Sequence, residues 1–234
     1  MEAKELIGHI SGGRVLDVAT GSGGFIYLLL DGLRDYKEIL GIDTKEGGKS
    51  VFAEQFAGKP VHYQQMDAAQ MEFEDASFDT VCISNSLHHM PDVLRTLNEM
   101  LRVLKPGGTF IVSEMYCDNQ TETQMTHVHL HHWWAAVDQT QGIFHGKTFR
   151  RDAIVELVAD LELREMRVYD VVKPSENPRD PEILAQINPV IERYIERANG
   201  YPDLQTRGKE LHQHLKEIGF NGATTLFIVG EKPN

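Results

Sequence analysis

Cysteine is scarce in this chain: Cys82 and Cys117 are the only two among 234 residues. Two thiols without C-x-x-C spacing give neither a zinc ribbon nor a disulfide framework, which suits a reducing compartment. Cys82 stands in a very apolar stretch and reads as a small core residue rather than a nucleophile. No segment approaches the ~18 consecutive apolar residues of a membrane span, so no membrane partner is predicted. The opening Met-Glu-Ala-Lys-Glu-Leu-Ile lacks a basic region followed by an apolar run. No signal peptide is therefore expected, and the predicted location is cytoplasmic. Dense runs of Lys and Arg are missing as well: 23 basic residues face 35 acidic ones, for a formal net charge of -12. A nonspecific grip on phosphates needs clustered cations, so no nucleic-acid partner is predicted. Internal repeats and low-complexity tracts are absent.

What is present is ordinary for a globular protein, with 41% hydrophobic and 25% charged residues. The length suits one domain over residues 1–234 carrying a sizeable insertion, as a monomer or homodimer. The first half alternates strands with helices, the pattern of an α/β domain with a parallel sheet. Strands are predicted at Arg14 to Val18, Glu38 to Asp43, Val61 to Gln65, Phe78 to Ser84 and Thr109 to Met115. Between them, Phe25 to Leu33 and Lys49 to Phe56 have helical character. Asp92 to Leu104 repeats Val93, Leu94, Leu97, Met100, Leu101 and Leu104 at helical spacing, and Lys105-Pro-Gly-Gly108 ends it.

The second half loses this rhythm. Residues 116–148 form a polar, His-rich stretch that reads as a cap. A helix from Phe149 to Leu161 and a strand from Arg164 to Val172 follow. Pro174 to Pro181 reads as a linker, and residues 174–222 as an insertion holding two helices, Glu182 to Ala198 and Leu204 to Ile218. Thr224 to Gly230 closes the chain as a strand. The stripe Ile183, Ile187, Ile191 and Ile195 is expected to pack into the core, with lid or dimer contact as alternatives.

The strongest chemical signal is the first strand, Asp17, and the turn Ala19-Thr-Gly21-Ser-Gly23-Gly24 entering a helix. Glycines there let backbone approach a ligand and adopt φ > 0 without a Cβ penalty. Such a turn sits at the carboxyl edge of a parallel sheet, where doubly wound folds bind ligands. Asp43 ends the second strand about 20 residues later, positioned to accept from both hydroxyls of a ribose. Asp67 follows the third strand, where a carboxylate can accept from an adenine amino group, with the Ala68 N–H beside it.

The order of these pieces resembles class I S-adenosylmethionine-dependent methyltransferases over roughly residues 10 to 115 and the last strand. Val15-Leu-Asp17-Val-Ala-Thr-Gly21-Ser-Gly23 is similar to their Asp-x-Gly-x-Gly-x-Gly motif, Gly41-Ile-Asp43 to their ribose acid and Met66-Asp67-Ala68 to their adenine site. Ser77 to His89 and Leu101 to Phe110 resemble the fourth strand with its loop and the entry to strand five, particularly in ubiquinone/menaquinone-type small-molecule methyltransferases. The resemblance implies a Rossmann-like three-layer sandwich. Its mostly parallel seven-stranded sheet would have an antiparallel last strand, with residues 1–115 as the cofactor-binding half. It also implies that S-adenosyl-L-methionine lies with its methionine end against Asp17 to Gly23, Ser84 and Asn85. His88 is then expected near the methyl and a small-molecule acceptor. Ala19 departs from the family's first glycine and is compatible with the motif only if its backbone is extended.

Thr126-His-Val-His-Leu-His-His132 has two geometries. On a strand His127, His129 and His131 share a face; on a helix His127 pairs with His131 and His129 with His132. Three readings stay open: acid–base chemistry by His88, His127 or His129; a divalent metal held by His127, His129 and His131, with Glu114 as a further ligand; or a polar cap. Trp133 and Trp134 either cover an acceptor or bury the cap. Arg150 and Arg151 either meet an acidic substrate or are ordinary helix-start charges. The alternatives to methyl transfer are an NAD(P)-dependent oxidoreductase and a noncatalytic S-adenosylmethionine-binding regulator. Against the first, Ile26 stands where a dinucleotide fingerprint needs its third glycine.

Overall fold

The computed structural model describes residues 2–46, 48–172 and 177–234. The start of the expected linker at Pro174, and with it the lower bound of the 174–222 insertion, lies outside the described residues. The strands are β1 (Arg14–Val18), β2 (Glu38–Asp43), β3 (Val61–Gln65), β4 (Phe78–Ser84), β5 (Leu104–Met115), β6 (Arg164–Val171) and β7 (Thr225–Glu231). They form one seven-stranded sheet in the order β3-β2-β1-β4-β5-β7-β6. β1 to β5 pair in parallel, and β7 inserts antiparallel between β5 and β6. This is the Rossmann-like sheet expected above. Strand order reverses between β1 and β4, which opens a crevice outside their carboxyl ends.

Side chains on β1 and β4 alternate between two covered faces, hence their continuous apolar runs. Leu16, Val18, Val81 and Ile83 join α4 (Val93–Val103) and α6 (Arg151–Ala159) in one core. Val15, Cys82 and Ile111 join the opposite core with α1 (Ala3–Ile7), α2 (Gly24–Gly32) and α3 (Gly48–Gln55). Cys82 is fully buried, its thiol 3.3 Å from the Leu16 carbonyl, and burial pushes its pKa well up. The placement matches its reading as a core residue.

Helix α4 starts where the Asp92 carboxylate accepts from the Arg95 amide, and it buries Leu97, Met100 and Val103. It stops because Pro106 lacks an amide hydrogen and Gly107 turns to φ +70°. The fifth strand starts earlier than the expected Thr109. β5 already begins at Leu104 and crosses Lys105 to Gly108 through a pairing irregularity opposite Phe78 and Thr80.

The stretch 116–148 is dominated by α5 (Glu122–Gln139), started by a reciprocal capping box between Thr121 and Gln124. It packs with α7 (Pro181–Arg197) and α8 (Pro202–Ile218) into a third core of Leu130, Trp133, Val137, Ile191, Leu211 and Leu215. Ile187, Ile191 and Ile195 of the α7 stripe therefore face α5 and α8, not the sheet. Trp133 is the centre of this core. Its Nε1 donates to the Leu204 carbonyl at 2.8 Å. Its ring lies over Gly208, where a Cβ would come within 2.3 Å of the indole.

Candidate functional site

The β1 strand delivers Asp17 to the crevice floor. The carboxylate is 1% exposed and accepts from the Thr20 hydroxyl at 2.5 Å. Burial raises its pKa to about 7, with the Thr20 and Cys82 hydrogen bonds pulling the other way. The turn that follows is left-handed at three positions: Ala19 (φ +53°), Gly21 (φ +56°) and Gly23 (φ +82°). Gly23 is required by packing, since a Cβ there would lie 2.7 Å from the Phe56 ring. At Gly21 a Cβ would meet no protein atom within 4 Å, so this turn faces open space. Ala19 corrects the sequence reading. Its backbone is not extended but left-handed, a conformation that costs an L-residue roughly 1–2 kcal/mol. The strain is held by the Thr20 amide, which donates to the Ile42 carbonyl, and by the Ser86 hydroxyl, whose proton is shared between the Ser84 and Ala19 carbonyls at 2.8 and 3.3 Å.

Asp43 ends β2 beside this turn. One carboxylate oxygen accepts from the Gly21 amide at 2.9 Å, the other from the Lys45 amide at 3.1 Å. Asp67 is exposed after β3 and accepts from the Ala69 amide at 2.8 Å. Gly21, Asp43, Asp67 and Ala68 line one cavity of 540 Å³, with Ile42, Met66, Met90 and Phe144 as apolar walls. A second cavity of 410 Å³ lies on the other side of the turn, lined by Asp17, Gly21, Phe25, Ser84, Ser113 and Thr225 among others. Ala19, Gly21, Asn85 and Ser86 border both. Gly23 borders neither; it shapes the turn from behind. Asn85 sits at φ +45°, and its side-chain oxygen turns back to accept from the Met115 amide at 3.0 Å. An Asx side chain tolerates this conformation better than most residues, and backbone strain of this kind collects at ligand sites.

After β4 the chain makes a single 3-10 turn, Leu87–His89, that separates two adjacent histidines. His88 points inward and is fully buried, its Nδ1 donating to Glu114 Oε1 at 2.5 Å. The other oxygen of Glu114 accepts from the amides of Ser86 and Leu87, at 3.0 and 2.9 Å. His88 is therefore not the imidazole at the cavity; that place belongs to His89, one residue on. Partial burial lowers the His89 pKa, with the neighbouring imidazoles adding to the effect.

Helix α5 settles the phase of the histidine run. His131 reaches the cluster, its ring centroid 4.6 Å from His88 and 4.9 Å from His145. Burial, reinforced by four neighbouring histidines, lowers its pKa to about 2. His127 lies one turn away, where its Nδ1 accepts from the Ala223 amide at 3.0 Å. Burial lowers its pKa to about 4. His129 points to the opposite side, toward His214 and Arg207. The three residues read as a ligand set thus do not converge. A helix spaces i and i+2 about 200° apart, so only one of His129 and His131 can face the sheet.

His145, which the sequence shows only as a further histidine downstream, completes the cluster together with Asp138, which carried no signal of its own. His145 Nδ1 donates to Asp138 Oδ2 at 2.7 Å, and Asp138 is held in turn by Arg197 at 2.6 Å. The only local signal was the pair of acceptor and donor types seven residues apart. Arg151 pairs with Asp170 at 2.8 Å and Arg150 with Asp118 at 3.4 Å. Both are engaged in ion pairs with the protein itself.

Comparisons with known proteins agree with this geometry. A family model described as a methyltransferase domain matches residues 16–112. Demethylmenaquinone methyltransferase from Staphylococcus aureus is 38% identical over 109 residues, 46% of this chain and 45% of that protein. The chain thus matches less than half the length of that curated relative. The fold is shared with the YcgJ protein of Bacillus subtilis (TM-score 0.63, 19% identity, 99% of this chain and 96% of that one). It is also shared with phosphoethanolamine N-methyltransferase 2 of Haemonchus contortus, solved with S-adenosyl-L-methionine (TM-score 0.59, 21% identity, 98% of this chain and 51% of that one). Residues 16–112 of this chain are thus similar to a methyltransferase domain, on the Rossmann-like fold that the solved neighbours share.

Proposed function

We propose that the chain transfers a methyl group from S-adenosylmethionine to a small-molecule acceptor. The observation that carries this reading is the placement of Gly21, Asp43 and Asp67, from three successive strand ends, around one 540 Å³ cavity. The residues suit the cofactor. Gly21 leaves its side of the turn open, Asp43 is positioned for the ribose hydroxyls, and Ile42 and Met66 offer apolar walls to the base. Asp17, Ser84 and Asn85 border the adjoining cavity, where a methionine chain with its cationic amino group would be matched by a carboxylate.

The bound cofactor supplies an activated methyl on a sulfonium, so the protein's share is alignment and exclusion of water. Asn85 and Ser86, shared by both cavities, mark the junction between them. There the acceptor meets the histidine cluster through His89, with Ile143 and Phe144 covering the same cavity. Neutral imidazoles suit that wall because the sulfonium loses its charge during transfer, and a strongly anionic wall would favour the ground state. The acidic surface supports a small-molecule acceptor over a nucleic acid, as does the quinone precursor in the curated relatives' name.

Calorimetric titration with S-adenosylhomocysteine and with NADH tests the cofactor assignment. The homocysteine derivative should bind and NADH should not, and Asp43→Ala should weaken binding about tenfold or more, ~1.4 kcal/mol. Binding of NADH alone would overturn the reading. Labelled methyl transfer to a panel of acceptors, beginning with demethylated quinols, then tests turnover.

A further inference from the structure

Among the described residues, four imidazoles from three segments converge beside the cofactor cavities. They are His88 and His89 from the turn after β4, His131 from α5, and His145 from the loop after it. One nitrogen of each lies within 4.8 Å of all the others. The proton positions follow from the carboxylates. Glu114 lies against His88 Nδ1 and Asp138 against His145 Nδ1, at 2.5 and 2.7 Å. A carboxylate only accepts, so both Nδ1 atoms carry a proton, and in the neutral ring, the form that binds metal, Nε2 presents a lone pair. His88 Nε2 is fully buried and has no hydrogen-bond partner among the described residues. An orphaned buried polar atom costs about 1–3 kcal/mol. His145 Nε2 lies 3.3 Å from His131 Nδ1. That separation is close to the ~3.3 Å edge of a tetrahedron with metal–nitrogen bonds of ~2.0–2.1 Å.

We propose that His88, His89, His131 and His145 bind one first-row divalent transition-metal ion, with zinc the natural match to an all-imidazole donor set. Histidine ligands are generally oriented by a carboxylate on the far ring nitrogen, and this cluster has two such pairs, His88–Glu114 and His145–Asp138. The same carboxylates place negative charge behind neutral ligands, although Arg197 offsets part of it at Asp138. Three ligands are half-buried or buried; His89 is exposed and borders the 540 Å³ cavity. The ion therefore sits in the wall where the proposed acceptor docks. An acceptor oxygen or thiol reaching it would lose its proton more readily. That role rests on the methyl-transfer reading, whereas the binding of the ion does not.

The test is calorimetric titration of Zn(II) into the chelator-stripped chain, with the visible spectrum of the Co(II)-loaded chain as a second measure. One equivalent should bind, and Co(II) should show the intense visible bands of a low-symmetry nitrogen site. His131→Ala should weaken binding about 100-fold, Asp138→Asn about 10–100-fold, and His129→Ala should leave it unchanged. S-adenosylhomocysteine titration of every variant reports whether the cofactor half is folded. Substoichiometric zinc uptake by wild-type chain that binds S-adenosylhomocysteine overturns the proposal. So does unchanged zinc affinity in His131→Ala. If His131→Ala does not fold, the Co(II) spectrum of the wild type and the Asp138→Asn titration decide. Zinc binding without S-adenosylhomocysteine binding would keep the ion site and remove the methyl-transfer reading.

Discussion

Glu114 joins His88 to the backbone of its own turn: one carboxylate oxygen meets His88 Nδ1, the other the amides of Ser86 and Leu87. All three partners are donors, so the site needs two accepting oxygens in a fully buried position. Glu114→Gln supplies one oxygen and one NH₂ group, so it either sets a donor against a donor or forces His88 into the tautomer with Nδ1 as acceptor. The variant should lose about 1–3 kcal/mol of stability in urea denaturation. The turn also borders the cofactor cavity at Ser86, so affinity for S-adenosylhomocysteine should fall with it.

Ala19 is the strained member of the first turn, at φ +53°. Ala19→Gly relieves about 1–2 kcal/mol of left-handed strain and gives back about 0.5–1 kcal/mol to the unfolded chain. The expected net is a gain of up to about 1 kcal/mol, read as a raised melting temperature with S-adenosylhomocysteine affinity retained. A loss of stability would show that the alanine methyl makes packing contacts that outweigh the strain.

Gly208 lets α8 pass directly under the Trp133 ring. Gly208→Ala gains helix propensity of about 1 kcal/mol but drives a methyl within 2.3 Å of the indole. Overpacking of this kind typically costs about 1–3 kcal/mol. Net destabilisation and a shift in tryptophan fluorescence are expected, while S-adenosylhomocysteine binding to the sheet half persists.

His127 gives the fold an acid-sensitive point. Its pKa falls from 6.5 to about 4 through burial, so in that window the unfolded chain binds a proton that the folded chain refuses. Stability contributed by the neutral ring is complete above pH 6.5 and declines as pH falls toward 4, by up to about 1.4 kcal/mol per unit. Protonation would also put a donor against the Ala223 amide, which now donates to Nδ1. His127→Gln keeps an accepting oxygen without the titration. Urea denaturation from pH 7.5 to 5 should show a shallower slope for the variant than for the wild type.

The cofactor half was legible in the sequence because its signals are local. A short apolar strand, a small-residue turn and an acid at the next strand end lie close in the chain, and the parallel sheet brings their carboxyl ends together. Ala19 was misjudged because nothing in its neighbours records that Thr20 and Ser86 hold its backbone left-handed. The histidines were harder for a different reason. His88 and His89 differ by one position in a 3-10 turn, and inward and outward exchange with a single residue of phase. His131 was visible on composition but not separable from His129 until α5 had a fixed face. His145 and Asp138 enter only through the return of the loop after α5, a tertiary event without a local pattern. The partner of the α7 stripe was likewise undetermined, since an apolar helix face states that it is covered and not by what.

Among the described residues the third core shares no side chain with the two sheet cores; Trp133, Ile191 and Leu211 cohere among themselves. Packing changes within α5, α7 and α8 are therefore separable from the support of the turn after β1. The matched stretch, Leu16 to Val112, lies wholly on the sheet side of that seam, and the core of α5, α7 and α8 is built from residues beyond it.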